Sequence, residues 1–405
     1  MRIKTMAVLL LLLAASSALP RPQGFARVDG RAIRGGDGKE ILLRGTNLGN
    51  WLNPEGYMFH FKNVNSYRLI DQVLKELAGA DEVNTFWRSF RDRYVTREDI
   101  HYLKSLGFNH LRVPFNFKLF LVEEHPEIWL EEGFRRLDDV IAWCEAEDLY
   151  VILDLHAAPG GQTGDNIDDS WGYPWLLTDA RAQQTTIQLW QRIAERYRDR
   201  TIVLGYDLLN EPIAHYFTDK EVLNAALEPL YKRMTHAIRE VDPHHIIFLG
   251  GAQWNTNFTV FGPPFDPNLV YTFHRYWMPP EQKEIQDILD FREKYNVPIW
   301  LGESGENTDE WIDSFRKLLE KNNIGWSFWP YKKMDSSRGI VTFPRTPEWD
   351  AIVAYGEEPR ANFEEIRTSR PAPEVVKKAL ADLLENVKFV NCTPNPGYIK
   401  ALGAE

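Results

Sequence analysis

TIVLGYDLLNEP, residues 201–212, decides the architecture. Ile202, Val203, Leu204, Tyr206, Leu208 and Leu209 leave neither face of the segment polar, so both want burial. That is the pattern of a parallel strand covered by helices, not of a hairpin strand with one wet face. Such a strand has no low-cost place for a carboxylate. Asn210 and Glu211 are therefore expected at its solvated end, where Pro212 stops it by removing a ladder donor. An Asn-Glu-Pro turn says little alone, but PIWLGE at 298–303 ends the same way, an apolar run followed by Glu303. Asn210 and Glu211 would face opposite sides of a regular strand, so both reach one site only if the strand end bulges or bends.

The same unit recurs in both directions. Upstream, a first strand is expected over 41–47, ending in Asn47, then helical stretches over 67–77 and 81–92. Thr96 is placed to cap a helix with Asp99 three residues on, and Gly107 to end it in the left-handed region. A strand over 110–114 is read as ending in Arg112, a helix spans 134–147, and a strand over 150–155 runs into His156. Ile187, Trp190, Ile193, Ala194 and Tyr197 form the helical face before the opening segment. Downstream come a helix over 223–241, a strand over 245–250, and a strand over 270–274 ending in His274 with Tyr276 just beyond. A helix over 280–294, a strand over 298–302, a helix over 311–319 and a strand over 325–329 ending in Trp329 follow, and 377–384 lies in a closing helix. Eight strands separated by helices predict an α/β fold, a single-domain (β/α)8 TIM barrel. No glycine-rich nucleotide fingerprint follows any strand, which removes the main reason for an open doubly wound sheet. The domain is expected to run over 19–405, with an irregular N-terminal lead-in, including a short hairpin over one end, and a closing C-terminal helix.

The 405 residues carry a net charge of −11 and no basic run, which argues against nucleic acid as a partner. Fourteen Trp are many for this length; flat apolar rings are what sugar faces stack on, although most Trp residues serve packing. Residues 1–18 place Arg2 and Lys4 before an apolar stretch and a small-residue cleavage point, the pattern of a signal peptide. No second long apolar segment follows, so a secreted protein, extracellular or periplasmic and without stable membrane insertion, is expected. Cys144 shares a helical face with Phe134, Leu137, Val140 and Ile141, which predicts a buried free thiol. Asn257-Phe258-Thr259 and Asn391-Cys392-Thr393 match glycosylation acceptors. No His or Cys cluster has ligand spacing, so neither metal nor cofactor is expected. A monomer is expected.

In a barrel of this kind the site lies at the carboxyl ends of the strands. Asn47, Arg112, His156, Asn210, Glu211, His274, Tyr276, Glu303 and Trp329 should therefore converge. Singly each has a bland explanation: an ion pair with a loop, a hydrogen-bonded filler histidine, a core tryptophan. Their shared placement is the signal, and two carboxylates at strand ends suit acid/base and nucleophile chemistry on a glycosidic bond.

LRGTNLGNWL, LRVPF, DLHAAPGGQ, LLNEP, FHRYW, GESG and GWSFWPYKK, in that order between residues 41 and 333, resemble glycoside hydrolase family 5. The resemblance implies Glu211 as acid/base and Glu303 as nucleophile of a retaining enzyme, with Arg112, His156, Asn210, His274, Tyr276 and Trp329 around the reacting sugar. The residues agree: Arg112 and Tyr276 are suited to keep Glu303 ionised, while its charge favours a protonated Glu211. RGTNLGNWLNPE and DLHAAPGGQTGDN are most similar to the exo-acting β-1,3-glucanase and related β-1,6-glucanase branch, which implies that Glu55 holds hydroxyls of a terminal glucose. HAAPGG departs from that branch, which tends to have Gly for the first Ala and Ser for the second Gly, and IDDSWGYPWLL at 167–177 reads as an insertion. Trp171, Tyr173 and Trp175 within it form either a sugar platform or a pin for a long loop. The expected substrate is a β-glucan or β-glucoside, cleaved exo; an endo-β-1,4-glucanase of the same fold and a non-catalytic carbohydrate-binding protein are the alternatives. Superfamily resemblance with Pro330 predicts a cis Trp329–Pro330 bond, with the Trp329 ring facing the space between Glu211 and Glu303.

Overall fold

The computed structural model describes residues 24–404. The signal expected over 1–18 lies outside the described residues, and among these no helix is long and apolar enough to cross a membrane. Eight parallel strands close into a barrel: β1 Arg44–Asn47, β2 His110–Asn116, β3 Tyr150–Ala157, β4 Val203–Asp207, β5 Ile246–Gly250, β6 Leu269–His274, β7 Ile299–Glu303 and β8 Gly325–Phe328. Each pairs with its sequence neighbours, and β8 closes on β1 through Trp326↔Arg44, Ser327↔Gly45 and Phe328↔Thr46. The strands are apolar on both sides because one side packs on helices and the other fills the barrel.

Helices Tyr67–Ala78, Ala80–Tyr94 and Arg97–Ser105 connect β1 to β2, and Glu132–Glu147, Ala180–Tyr197 and Lys220–Arg239 follow β2, β3 and β4. Gln286–Tyr295 and Asp309–Lys321 follow β6 and β7. The capping box of Thr96 and Asp99 forms as expected, and Gly107 takes φ +83° beyond that helix. Cys144 is buried and both cysteines are free thiols. The amino-terminal end of the barrel is covered by the short antiparallel pair Arg27–Asp29 and Ala32–Arg34. Ala26 and Ile33 complete an apolar plug there with Leu43, Leu204, Phe248 and Trp300.

Three features differ from expectation. The connection between β5 and β6 carries only the four-residue turn Ala252–Asn255 and the 3-10 turn Phe258–Val260. Pro263, Pro264 and Pro267 in that stretch deny a helix its amide donors. After β8 a three-stranded sheet (Lys332–Met334, Val341–Phe343, Thr393–Pro394) and helix Pro347–Glu357 appear before the closing helix Pro373–Asn386. Finally, β4 ends at Asp207, so 208–212 leaves the sheet earlier than its apolar run implies.

Candidate active site

Arg112 is the hub. It lies inside β2, which continues four residues beyond it to Asn116, so it is not the strand-end residue its sequence position implied. Its side chain is fully buried and reaches up the barrel. Nε donates to Asp207 at 2.8 Å, Nη1 to Asn47 Oδ1 at 3.1 Å and Glu303 Oε1 at 2.5 Å, and Nη2 to Asn210 Oδ1 at 2.8 Å, with Asp154 Oδ1 at 3.1 Å. Burial alone would strip its proton more easily, but the charges of Asp154, Asp207 and Glu303 hold it firmly cationic. Asp154 and Asp207 were missed in the sequence. Their signal was legible: each is an acid within an otherwise apolar strand, a placement that demands a buried cation.

Glu303 is the last residue of β7. Besides Arg112 it accepts from the Tyr276 hydroxyl at 3.2 Å, two residues past the end of β6. Burial, then the charge of Glu303, pushes that phenol well above its ordinary range, so Tyr276 remains a donor.

Glu211 reaches the site by a bend. Its φ is +46° and that of Ile213 is +62°, which turns Asn210 toward Arg112 while sending Glu211 to the opposite wall. The turn is clamped by the loop after β3. Gln162 Nε2 donates to His156 O at 2.7 Å and Asn210 O at 2.8 Å, and Thr163 Oγ1 donates to Glu211 O at 2.7 Å. His274, at the end of β6, places Nδ1 2.7 Å from Glu211 Oε1. A ring nitrogen of His274 and one carboxylate oxygen each from Glu211 and Glu303 lie within 4.8 Å of one another. Burial, then the negative charge of Glu303, pushes the Glu211 carboxyl well above the usual range.

The remaining expected residues join the same site. His156 lies near the end of β3 with Nδ1 2.7 Å from Asp154 Oδ2 and Nε2 3.6 Å from Glu55 Oε1. Burial opposes its charge, but Asp154 prevails and lifts it to about 10. Glu55 is 2% exposed; burial pushes its carboxyl up, and His156 pulls it back. The Trp329–Pro330 bond is cis. The Trp329 ring stacks on His156 with centroids 5.6 Å apart and donates from Nε1 to the Tyr57 hydroxyl at 2.8 Å. It packs so closely on Gly49 that a Cβ there would come within 2.4 Å of it.

Beside Glu55, the segment 163–177 is held down by buried acids. Asp168 accepts from the amides of Thr163, Gly164 and Ser170, and burial pushes it up to about 6. Asp169 accepts from the amide of Arg68 and from Asn116, and pairs with Lys118. Asn53 donates to Ile167 O at 2.9 Å, joining this segment to the loop that carries Glu55. Tyr173 serves as a pin, its hydroxyl 2.6 Å from Asp219, whereas Trp171 and Trp175 are 72% and 49% exposed.

Two clusters have metal-like spacing among the described residues, Asp154–His156–Glu303 and Glu211–His274–Glu303. Both include Glu303, already paired with Arg112, so a cation in either would sit beside a guanidinium. The donor set is that of ion pairing and proton transfer.

Comparison with known proteins fits this geometry. Residues 72–335 match the family described as Cellulase (glycosyl hydrolase family 5). The chain belongs to glycosyl hydrolase family 5. A β-xylosidase of Phanerodontia chrysosporium is 30% identical over 79% of this chain and 73% of that protein. Endoglucanase C of Acetivibrio thermocellus is 24% identical over 63% and 89%. A probable glucan 1,3-beta-glucosidase A of Aspergillus clavatus is 27% identical over 58% and 56%. Among solved structures, an endogalactoceramidase superposes with TM-score 0.61 at 18% identity, covering 94% of this chain and 84% of that one. An endoglucanase of Thermotoga maritima gives 0.52 at 21%, covering 72% and 90%. These superpositions show the fold alone. This family 5 chain is a glycosidase.

Proposed function

We propose that this family 5 enzyme is a retaining, exo-acting β-glycosidase that removes one terminal β-xylosyl or β-glucosyl unit, with Glu211 as acid/base and Glu303 as nucleophile. The observation that carries the reading is the close approach of the two carboxylates, within 4.8 Å, in unequal surroundings. Retaining sites hold them about 5–5.5 Å apart and inverting sites about 6.5–9.5 Å, to admit a water between them. Glu303 is held by Arg112 and Tyr276 as an anion positioned to attack the anomeric carbon, while Glu211 keeps its proton and delivers it to the departing glycosidic oxygen. Glu211 then takes a proton from water, which attacks the glycosyl ester and releases Glu303.

Exo action is supported by Glu55, buried in the wall of the site, and by the bond from Asn53 that ties its loop to segment 163–177. Xylose and glucose share equatorial hydroxyls at C2, C3 and C4 and differ by one hydroxymethyl group, so one carboxylate pair serves both. Of the three sequence relatives named above, the β-xylosidase is the most identical, at 30%, and its match covers 79% of this chain against 63% and 58%. An export signal over 1–18 belongs to the same proposal. Chromatography of products from xylo-, laminari- and cello-oligosaccharides tests it, with monosaccharide expected from the earliest time points. Rapid viscosity loss of a long β-glucan with little monosaccharide would contradict it in favour of an open, endo-acting groove.

A further inference from the structure

Immediately after β5 the backbone does something costly. Gln253, Trp254 and Asn255 all have left-handed φ, of +49°, +57° and +58°. Residues with a Cβ enter that region singly and seldom, so three in a row persist only where surrounding contacts over-determine them. Those contacts are present. Ala252 and Asn257 exchange backbone hydrogen bonds of 3.1 and 2.9 Å. The Gln253 amide donates to Asn224 Oδ1 at 2.8 Å and accepts from Asn257 Nδ2 at 2.7 Å.

The bent turn delivers one side chain to the site. Asn255 is fully buried beneath His274, its Nδ2 3.1 Å from His274 Nε2. Its Oδ1 lies against Gly250, where a Cβ would come within 2.1 Å, and meets no donor. On the far side of the same ring, Nδ1 faces Glu211 Oε1. A buried amide whose oxygen is left unsatisfied is explained if its N–H is what the position requires.

We infer that Asn255 is a positioning residue that fixes the tautomer of His274 and thereby chooses which oxygen of Glu211 carries the acid proton. Neutral imidazole has one donor and one acceptor nitrogen. An amide N–H at Nε2 requires the lone pair there, which leaves the proton on Nδ1. Nδ1–H donates to Oε1, and Oε2 is left to hold the proton destined for the leaving group. The opposite tautomer would accept the Glu211 proton at Nδ1 and withhold it from the substrate. Glu211 and, at 3.8 Å, Glu303 face the ring, and the charges of Arg112, His156 and Arg275 act on it from nearby. Burial, with those three cations, holds the imidazole well below its ordinary range and therefore neutral. This inference rests on Glu211 being the acid.

Nitrogen-15 NMR of the full chain labelled at histidine, with His274 assigned by its loss in His274→Gln, reads the tautomer directly. Protonated Nδ1 with pyridine-like Nε2 is expected; an Nε2–H tautomer in the unaltered protein overturns the inference. Two variants carry the consequence to turnover. Asn255→Gly removes the amide while suiting the left-handed backbone, and Asn255→Asp offers Nε2 an acceptor and pulls the proton to it. Both should lower kcat on a poorly activated glycoside, Asp by about 10–100-fold, part of the 10²–10⁴ that general acid catalysis supplies. KM should change little, 2,4-dinitrophenyl glycosides should lose less, and the alkaline limb of the pH profile should move. Equal losses on both substrates with an unmoved limb would make Asn255 merely structural and overturn the inference. Failure of Glu211 as the acid would appear separately, as missing azide rescue in Glu211→Ala, whatever the tautomer.

Discussion

Glu211 and Glu303 are the same residue type in one site, and the proposed division of labour between them rests on their different surroundings. Glu303 faces a guanidinium at 2.5 Å and a phenol at 3.2 Å, whereas Glu211 is half-buried near that negative charge with one neutral histidine as partner. Glu303→Ala should abolish turnover of every glycoside, because no ester can form. Glu211→Ala should cost about 10²–10⁴-fold on poor leaving groups and much less on dinitrophenyl glycosides. Added azide should restore rate in Glu211→Ala and yield a glycosyl azide of retained configuration. Initial-rate kinetics with both substrate types check these losses. A second expectation concerns proton affinity. Because the folded pKa of Glu211 is raised, the acid stays protonated and active as pH rises past the ordinary carboxylate range, and activity falls only once pH passes the raised value. In Glu303→Gln the second cause of the shift is gone, so Glu211 should titrate lower than in the unaltered protein while burial still keeps it raised. Carbon-13 titration of the Glu211 carboxyl measures both.

At the scale of elements, the site depends on how chain segments end. The apolar run 202–209 read as a strand reaching Asn210, but two left-handed residues, Glu211 and Ile213, and the Gln162 clamp take it out of the sheet early. No local sequence signal announces that clamp, because Gln162 comes from another strand's loop. The stretch after β8 shows the same dependence. Lys332 is fully buried and donates to Tyr94 O at 2.6 Å, Asp99 Oδ1 at 2.8 Å and Val387 O at 2.9 Å. One ammonium thus meets the carbonyl ends of two helices and the capping carboxylate at the start of a third, where positive charge is favoured. Lys332→Met leaves Asp99 buried without its cation, which should cost about 3–5 kcal/mol. Urea unfolding of the variant against the parent checks this, and a change under 1 kcal/mol would mean the pair contributes no more than an exposed one.

For the whole molecule, the barrel was legible because its period is coarse: apolar strand, polar strand end, amphipathic helix. Residues such as Glu303, His274 and Asn47 could be placed because each ends a strand, and the barrel brings strand ends together. Arg112 was named as a strand-end residue and lies mid-strand instead; it belongs to the site because its long side chain reaches Glu303 and Asn210 from inside the barrel. Asn255 and Tyr57 were not found, since each sits on an irregular loop whose path is set by distant contacts. Segment 163–177 lies between: its aromatic residues were visible, but not that Asp168 and Asp169 hold it down. The central claim is that these parts perform a double displacement through a glycosyl ester on Glu303. Proton NMR of the first product, recorded before mutarotation, tests it most directly: release of the β-anomer is predicted, and initial release of the α-anomer would contradict the account.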